Sequence, residues 1–386
     1  MKYCFLFLLI SLSIDGRSQD FSDILRSIEA NNTSLEAARI RTEAEKLSSK
    51  DVYTPENPEI GFDYLFGADG IGNRIGFEVS QSFDFPSVIS RKRKLAKEMQ
   101  RVSDLAYLSV RQQLLLKVRK LCIEVVYCNA MMEHLNEDLE RTRIISASYN
   151  KLFDNGEATI IERNKAHQAA LFFQTEYNEH LTMKENLLSE LQCMNGGKAI
   201  EISDTAFVFS PITQDFDEWL AENISRHPEL LLAEGNLEAE KQSLKVAKGS
   251  RVPGLKVGYM GEFTRDEKFQ GPSVGLTLPI WGSSRKVKTA RLHVEAAEKS
   301  LEDTRLHITT QLRGVYREAL QLQETYLRYR KHLVHCDNSS LLQRSLDLGE
   351  ITLLQYLDEL QFVHELHENY LATERDLALR KAELMF

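Results

Sequence analysis

The chain has 386 residues, is 42% hydrophobic, and carries 57 acidic against 48 basic side chains for a net charge of -9. That length holds two or three domains, and the negative balance argues against a general nucleic-acid binder, which needs a basic face. Beyond the opening residues no run is long and apolar enough to cross a membrane as a helix.

The start of the chain reads as an export signal. Lys2 supplies the positive end, residues 5–14 an apolar stretch, and Gly16 and Ser18 a small-residue cleavage site, so residues 1–18 are expected to be a signal peptide. Cys4 lies inside the apolar stretch, too early for a lipid-attachment cysteine. The later cysteines, Cys122, Cys128, Cys193 and Cys336, form no CxxC and read as small core residues rather than as disulfide partners.

A helix is expected over 20–51, capped by Ser22 or Asp23, with Ile24, Leu25, Ile28, Leu35, Ala38 and Leu47 as a broken apolar stripe. Thr54-Pro55-Glu56-Asn57-Pro58 stops it. Two alternating segments follow within 59–85. Ile60, Phe62, Tyr64 and Phe66 share one face opposite Gly61, Asp63, Leu65 and Gly67; after a turn over 67–73, Ile75, Phe77, Val79, Phe83 and Phe85 share a face broken only by Gln81. A period of two over this length means a β-hairpin. Residues 90–152 then contain neither proline nor glycine, a helix of roughly 95 Å at 1.5 Å per residue. Leu114, Val118, Leu121, Val125 and Cys128 give it the alternating 3–4 spacing of a coiled-coil seam. Gly156-Glu157 ends it, the glycine supplying a left-handed residue, and a return helix is expected over 157–195.

Residues 196–214 read as a connector able to hold a short strand, and 215–247 as a helix. A second hairpin is expected within 255–281. Leu255, Val257, Tyr259 and Phe263 oppose Lys256, Gly258 and Glu262; past a loop at about 264–271, Val274, Leu276, Leu278 and Ile280 oppose Ser273, Gly275 and Thr277. A second long helix, 284–347, carries the seam Ile308, Leu312, Val315, Ala319, Leu322, Tyr326, Tyr329 and Leu333 and is interrupted only by Gly314. Gly349-Glu350 ends it, and a return helix follows over 350–385.

The second half therefore repeats the first. Asn32-Thr33-Ser34-Leu35 is answered by His227-Pro228-Glu229-Leu230, Pro58-Glu59-Ile60 by Pro253-Gly254-Leu255, Ser90-Arg91-Lys92-Arg93-Lys94 by Ser284-Arg285-Lys286-Val287-Lys288, and Asn155-Gly156-Glu157 by Leu348-Gly349-Glu350. Matches in one order at a nearly constant offset indicate an internal duplication. The expected organisation is a first repeat over 19–195, a connector over 196–214 and a second repeat over 215–386.

An apolar hairpin face could cover a soluble core, but the helices here already have seams of their own. Strand length, aromatics and a polar opposite face fit a transmembrane β-barrel, with Ile60, Phe62, Tyr64, Phe77, Val79, Phe83, Val257, Tyr259, Leu276 and Leu278 toward lipid. Small or polar residues such as Gly61, Gly76, Ser80, Ser82, Gly258 and Gly275 would line the bore. Four strands cannot close a barrel, and an open edge in lipid leaves backbone groups unpaired at several kcal/mol each. The chain must then oligomerise; a trimer supplies twelve strands, enough for a pore.

At this point the chain resembles the TolC-type outer membrane efflux family over essentially its whole mature length. The resemblance rests on the repeated layout, the Pro-Glu-Ile and Pro-Gly-Leu strand openings, Gln81-Ser82-Phe83 against Leu278-Pro279-Ile280-Trp281-Gly282, the basic starts of the long helices, and the Gly-Glu turns followed by Thr159 or Thr352. It implies a mainly α fold with a small β part: a long antiparallel coiled-coil helical barrel plus four strands per protomer in a trimeric twelve-stranded barrel. It implies an outer-membrane location with the helices in the periplasm. It also implies a periplasmic adaptor and a proton-driven or ATP-driven inner-membrane pump as partners, with passive conduction of the pump's substrate. The helix tips Gly156, Glu157, Gly349 and Glu350 would dock the partners. In the family a ring of carboxylates after the second glycine turn closes the tunnel. Here Asp358 matches the second acidic position, while Gln355 stands at the first; Glu162 and Lys165 hold the corresponding places in the first half.

Other chemistry is thin. His364 and His367, and His332 and His335 beside Cys336, are spaced to share helix faces, but neither pair has obvious third and fourth ligands, so no metal site and no cofactor is assigned. No phosphate-binding loop, nucleophile elbow or zinc-protease motif is present, and Asp63, Glu78 and Asp84 read as lumen residues rather than an acid–base site. The chief competing reading is an exported soluble coiled-coil scaffold or adaptor; the two differ in whether the chain needs detergent.

Overall fold

The structure, a computed structural model, describes residues 21–67, 72–335 and 339–385. The expected signal segment, the tip of the first hairpin turn and Cys336 lie outside the described residues. The elements run α1 (Ser22–Asn31), α2 (Thr33–Ser48), β1 (Glu59–Leu65), β2 (Arg74–Phe83), α3 (Pro86–Asp154), α4 (Ile160–Met194), α5 (Phe216–Asn223), α6 (Pro228–Gly249), β3 (Gly254–Phe263), β4 (Lys268–Thr277), α7 (Ser283–His335), α8 (Ser339–Asp347) and α9 (Leu353–Met385). No helix among the described residues is long and apolar enough to cross a membrane.

The chain divides into two compact units. Of the described residues, one unit comprises those up to 33, 114–214 and those from 314 on; the other comprises those within Ser34–Gln113 and Asp215–Arg313 and holds all four strands.

Both short leading helices break where the two halves match in sequence. The helix expected over 20–51 stops at Asn32, whose backbone is extended (φ -73°, ψ 114°) and whose Nδ2 donates to the Met194 carbonyl at 2.8 Å. The cap expected at Ser22 or Asp23 falls instead on Phe21, without a capping side-chain bond. The helix expected over 215–247 breaks at His227 (φ -66°, ψ 124°), because a residue before proline is pushed out of the helical region. Pro228 then opens α6 at its first turn, where no N–H is needed. Leu35 and Leu230 are each buried just beyond the break.

In the strand-bearing unit the four strands form one antiparallel sheet in the order β1-β2-β3-β4. Each half contributes a hairpin, and the two hairpins join through β2 and β3, with Val79 opposite Tyr259 and Phe83 opposite Leu255. The second hairpin turn is shorter than expected. Thr264 N donates to the Glu267 carbonyl at 2.9 Å and Glu267 N to Thr264 Oγ1 at 3.1 Å, so β4 starts at Lys268. It also ends earlier, at Thr277, because Pro279 has no N–H to continue a ladder. Leu278 and Ile280 therefore lie past the strand rather than in it.

In the other unit α3 is the centre of the core. Cys122, Ile123, Val125, Val126, Tyr127 and Cys128 are all buried, so this stretch is enclosed on every side, not along a narrow seam. Ile28 of α1, Leu191 of α4, Ile202 of the connector and Ala382 of α9 close around it. The connector 196–214 holds no strand; Asn129 Nδ2 donates instead to the carbonyls of Ile202 and Asp204, both at 2.9 Å. Burial pushes the Cys122 thiol up to about 12 and Cys128 up to about 11, as inert core thiols require. Cys193 is also a free thiol but is exposed, against the expectation of a core residue. α7 passes Gly314 without a break and follows its expected seam more loosely: Ile308, Ala319 and Tyr326 are buried, while Leu312, Val315 and Leu322 are half-buried.

Candidate functional site

Three features stand out: the faces of the sheet, the two glycine turns, and a histidine cluster inside the helical unit.

The ladder settles which strand residues share a face. Ile60 pairs with Val79, Phe62 with Phe77, Tyr64 with Ile75, Ile75 with Phe263, Val257 with Val274 and Leu255 with Leu276. Side chains directly opposite one another in a ladder share a face. Nine of the ten residues expected to face lipid therefore lie together, and Leu278 is the one beyond the strand end. The face is exposed: Ile60 at 81%, Phe62 at 69% and Leu276 at 67%. Phe77 stacks on Phe263 with ring centroids 5.8 Å apart. Its ring covers Gly261, where an added Cβ would come within 2.3 Å of it, so the glycine is what lets this aromatic lie flat on the sheet.

The opposite face is mainly polar, though Leu65, Met260 and Phe269 also lie on it. Arg74 pairs with Glu262 at 3.2 Å, and Lys256 bridges Glu59 at 3.4 Å and Glu78 at 3.5 Å. Asp84 pairs with Lys92. Of the carboxylates set aside as an acid–base site, Glu78 and Asp84 are thus partnered with basic residues. β1 and β4 are the sheet's two edges, each with one row of backbone groups unpaired by the sheet.

The turns are built alike. Gly156 has φ +78° and Gly349 φ +72°, a region costly for any residue with a Cβ. Glu157 N donates to the Leu152 carbonyl at 2.8 Å and Gly156 N to Phe153 at 3.0 Å; Glu350 N donates to Ser345 at 2.9 Å and Gly349 N to Leu346 at 3.0 Å. These are two Schellman closures, satisfying the last carbonyls of α3 and α8. A capping box follows each. Glu162 accepts from Thr159 N at 2.8 Å while its own N–H donates to Thr159 Oγ1 at 3.2 Å. Gln355 Oε1 accepts from Thr352 N at 2.9 Å while its N–H donates to Thr352 Oγ1 at 3.2 Å. The Thr159 backbone and side-chain hydrogen bonds hold the Glu162 carboxyl below its ordinary value. Gln355, a candidate gate residue, is thus engaged in closing a helix end. Leu353, Tyr356, Leu360 and His364 form the buried stripe of α9, and Asp358 lies off it on the exposed side.

The third feature was only half legible. His364 and His367 do share a face, and both rings stack on His134 of α3, with centroids 5.4 and 4.5 Å away. His134 Nε2 lies 3.4 Å from Asp138 Oδ2, and His364 Nδ1 lies 3.6 Å from the same oxygen. Burial pushes the His134 imidazole down to about 4, against the pull of Asp138. His134 and Asp138, four apart on one helix, were the overlooked signal. His332 is exposed on α7, and the side chain of His335, like Cys336, lies outside the described residues.

No family model and no curated relative matches the chain. Solved structures do. A membrane protein from Pseudomonas aeruginosa superposes with a TM-score of 0.79 at 15% identity, covering 94% of this chain and 88% of its own. The Campylobacter jejuni CmeC outer membrane channel gives 0.76 at 16%, covering 96% and 86%. The outer membrane protein VceC from Vibrio cholerae gives 0.73 at 13%, covering 95% and 94%. The chain therefore has the fold of TolC-like outer-membrane channel proteins along almost its entire length.

Proposed function

We propose that this chain is one protomer of an outer-membrane exit duct in a tripartite efflux system, with its sheet in the membrane and its helices in the periplasm. The observation that carries this reading is the sheet: an exposed aromatic face, a charged opposite face and two open edges. In lipid such edges must be paired. Three copies edge to edge give a closed twelve-stranded barrel with the apolar face outward and the salt-bridged face lining a wet bore. The fold shared with outer-membrane channels supports the same assembly. Closure in threes also explains the two halves as copies of one hairpin-and-helices unit. Transport is passive; an inner-membrane pump selects the cargo, and an adaptor docks at the tips Gly156-Glu157 and Gly349-Glu350. No catalytic role is assigned.

The gate reading rests on Asp358, since Gln355 is engaged in its capping box. Three exposed Asp358 carboxylates about a threefold axis would narrow the tunnel tip and attract cations.

Detergent-extracted protein should be trimeric by native mass spectrometry and give stepwise conductance in planar bilayers. A chain that stays soluble and monomeric without detergent overturns the duct. Asp358→Asn should change single-channel conductance and weaken its sensitivity to divalent cations; unchanged values on both counts remove the gate.

A further inference from the structure

We propose that His134, Asp138 and His364 bind a single divalent transition-metal ion of the zinc class, which ties α3 to α9. The inference goes beyond the duct reading and does not depend on it.

His134 and Asp138 stand one turn apart on α3, so their side chains meet on one face. His364 reaches the same point from α9. Two ligands of a tetrahedral ion with bonds near 2.0–2.2 Å sit about 3.3–3.5 Å apart. The two measured edges, 3.4 Å from His134 Nε2 to Asp138 Oδ2 and 3.6 Å from His364 Nδ1 to Asp138 Oδ2, are already at that spacing. All three atoms lie within 4.8 Å of one another. Closing the remaining edge therefore needs a side-chain shift of no more than about 1.5 Å.

Hydrogen bonding does not account for the cluster. Asp138 Oδ2, His134 Nε2 and His364 Nδ1 are buried atoms with no hydrogen-bond partner. The Asp138 and His364 side chains are each only 2% exposed. Buried polar atoms without partners are rare and costly, and here three converge on one point. The surroundings fit a ligand set. Arg141 Nη1 donates to Asp138 Oδ1 at 3.2 Å, fixing the carboxylate and leaving Oδ2 free. The Phe173 ring meets His364 edge-on, with centroids 5.1 Å apart. His367 Nδ1 beside the cluster also lacks a hydrogen-bond partner. Two imidazoles with one carboxylate favour zinc, cobalt, nickel or copper over magnesium or calcium.

The ion would sit six residues from Asp358, about 9 Å along α9. If Asp358 is the gate, the metal fixes the register of the helix that carries it.

The test uses the full chain, stripped by chelator and titrated with Co²⁺ and then Zn²⁺. The expected result is one Co²⁺ per chain with the intense visible bands of a tetrahedral site, displaced by Zn²⁺, and a melting temperature that rises with Zn²⁺ and falls on chelation. His134→Gln and His364→Gln should lose the bands, His332→Gln should keep them, and Arg141→Gln should weaken binding roughly 10–100-fold as an outer-shell change. Circular dichroism and the metal-free melt of each variant check that it has folded. A wild-type chain that gives neither cobalt bands nor heat on zinc titration overturns the proposal, as does binding that survives in both folded ligand variants. A chain that conducts in bilayers yet binds no metal removes this inference alone.

Discussion

The long helices α3 and α7 carry the same 3–4 spacing of apolar residues and end in different surroundings. Around Cys122 to Met131, α3 is enclosed; along Ile308 to Leu327, α7 covers one face and leaves Leu320 and Leu327 exposed at 40% and 44%. The residues between the seam positions decide the difference. In α3 they include Ile123, Val126 and Tyr127, so a second and third face can be buried against α1, α4 and α9. In α7 they include Arg313, Arg317, Glu318 and Glu324, which keep the outer face wet. A seam identifies one buried face of a helix, and the residues off the seam tell whether the rest is buried as well.

The largest effect that separates the two helices is a core truncation. Leu135→Ala, at a site with no exposed surface, should cost about 2–5 kcal/mol in denaturant unfolding of the detergent-solubilised protein. Leu320→Ala should stay within about 1 kcal/mol. Equal losses would mean that another copy covers the outer face of α7 in the assembled protein.

The two turns make the opposite comparison, with one backbone and different charges. Gly156→Val and Gly349→Val should each lose about 1–2 kcal/mol, because both put a side chain on a left-handed backbone. The losses should match, since an added Cβ meets nothing within 4 Å at either site. Hydrogen exchange on the flanking helix ends gives a local readout. A clearly unequal pair would show that one turn is held by something other than its own Schellman bonds.

Most of this architecture was legible in the residues. The period of two in Ile60 to Tyr64 and in Leu255 to Tyr259 placed the strands and their apolar face correctly, because alternation has no other cheap explanation. Gly156 and Gly349 marked the helix ends because few residues tolerate φ above zero. The breaks at Asn32 and His227 were missed for different reasons. Pro228 was a readable signal inside the helix expected over 215–247, whereas Asn32 is held by a carbonyl 162 residues away in sequence. The end of β4 at Thr277 was likewise readable from Pro279. The histidine cluster depends on α9 packing on α3, a pairing that no local pattern encodes. His364 and the His134–Asp138 pair could each be singled out, but not that the two meet.

The smallest effect is the most specific to the difference between the turns. Glu162 and Gln355 close the same capping box, yet only Glu162 titrates. Thr159 N and Thr159 Oγ1, at 2.8 and 2.7 Å, favour the ionised carboxylate and lower its folded-state pKa. A lowered folded pKa stabilises above the ordinary carboxylate value of 4.5, and that contribution is lost as pH falls through the lowered value. The first turn of α4 should therefore exchange its amides progressively faster, after correction for intrinsic rates, as pH is taken from neutrality to below 4.5. The first turn of α9 should show no such step of its own, because the Gln355 amide keeps its hydrogen bonds throughout. Glu162→Gln should make the first turn behave like the second, and Gln355→Glu should give the second turn the step that the first has. If the pH step at α4 survives Glu162→Gln, the capping carboxylate is not its source, and the charge difference between the tips has no bearing on how the helices are closed.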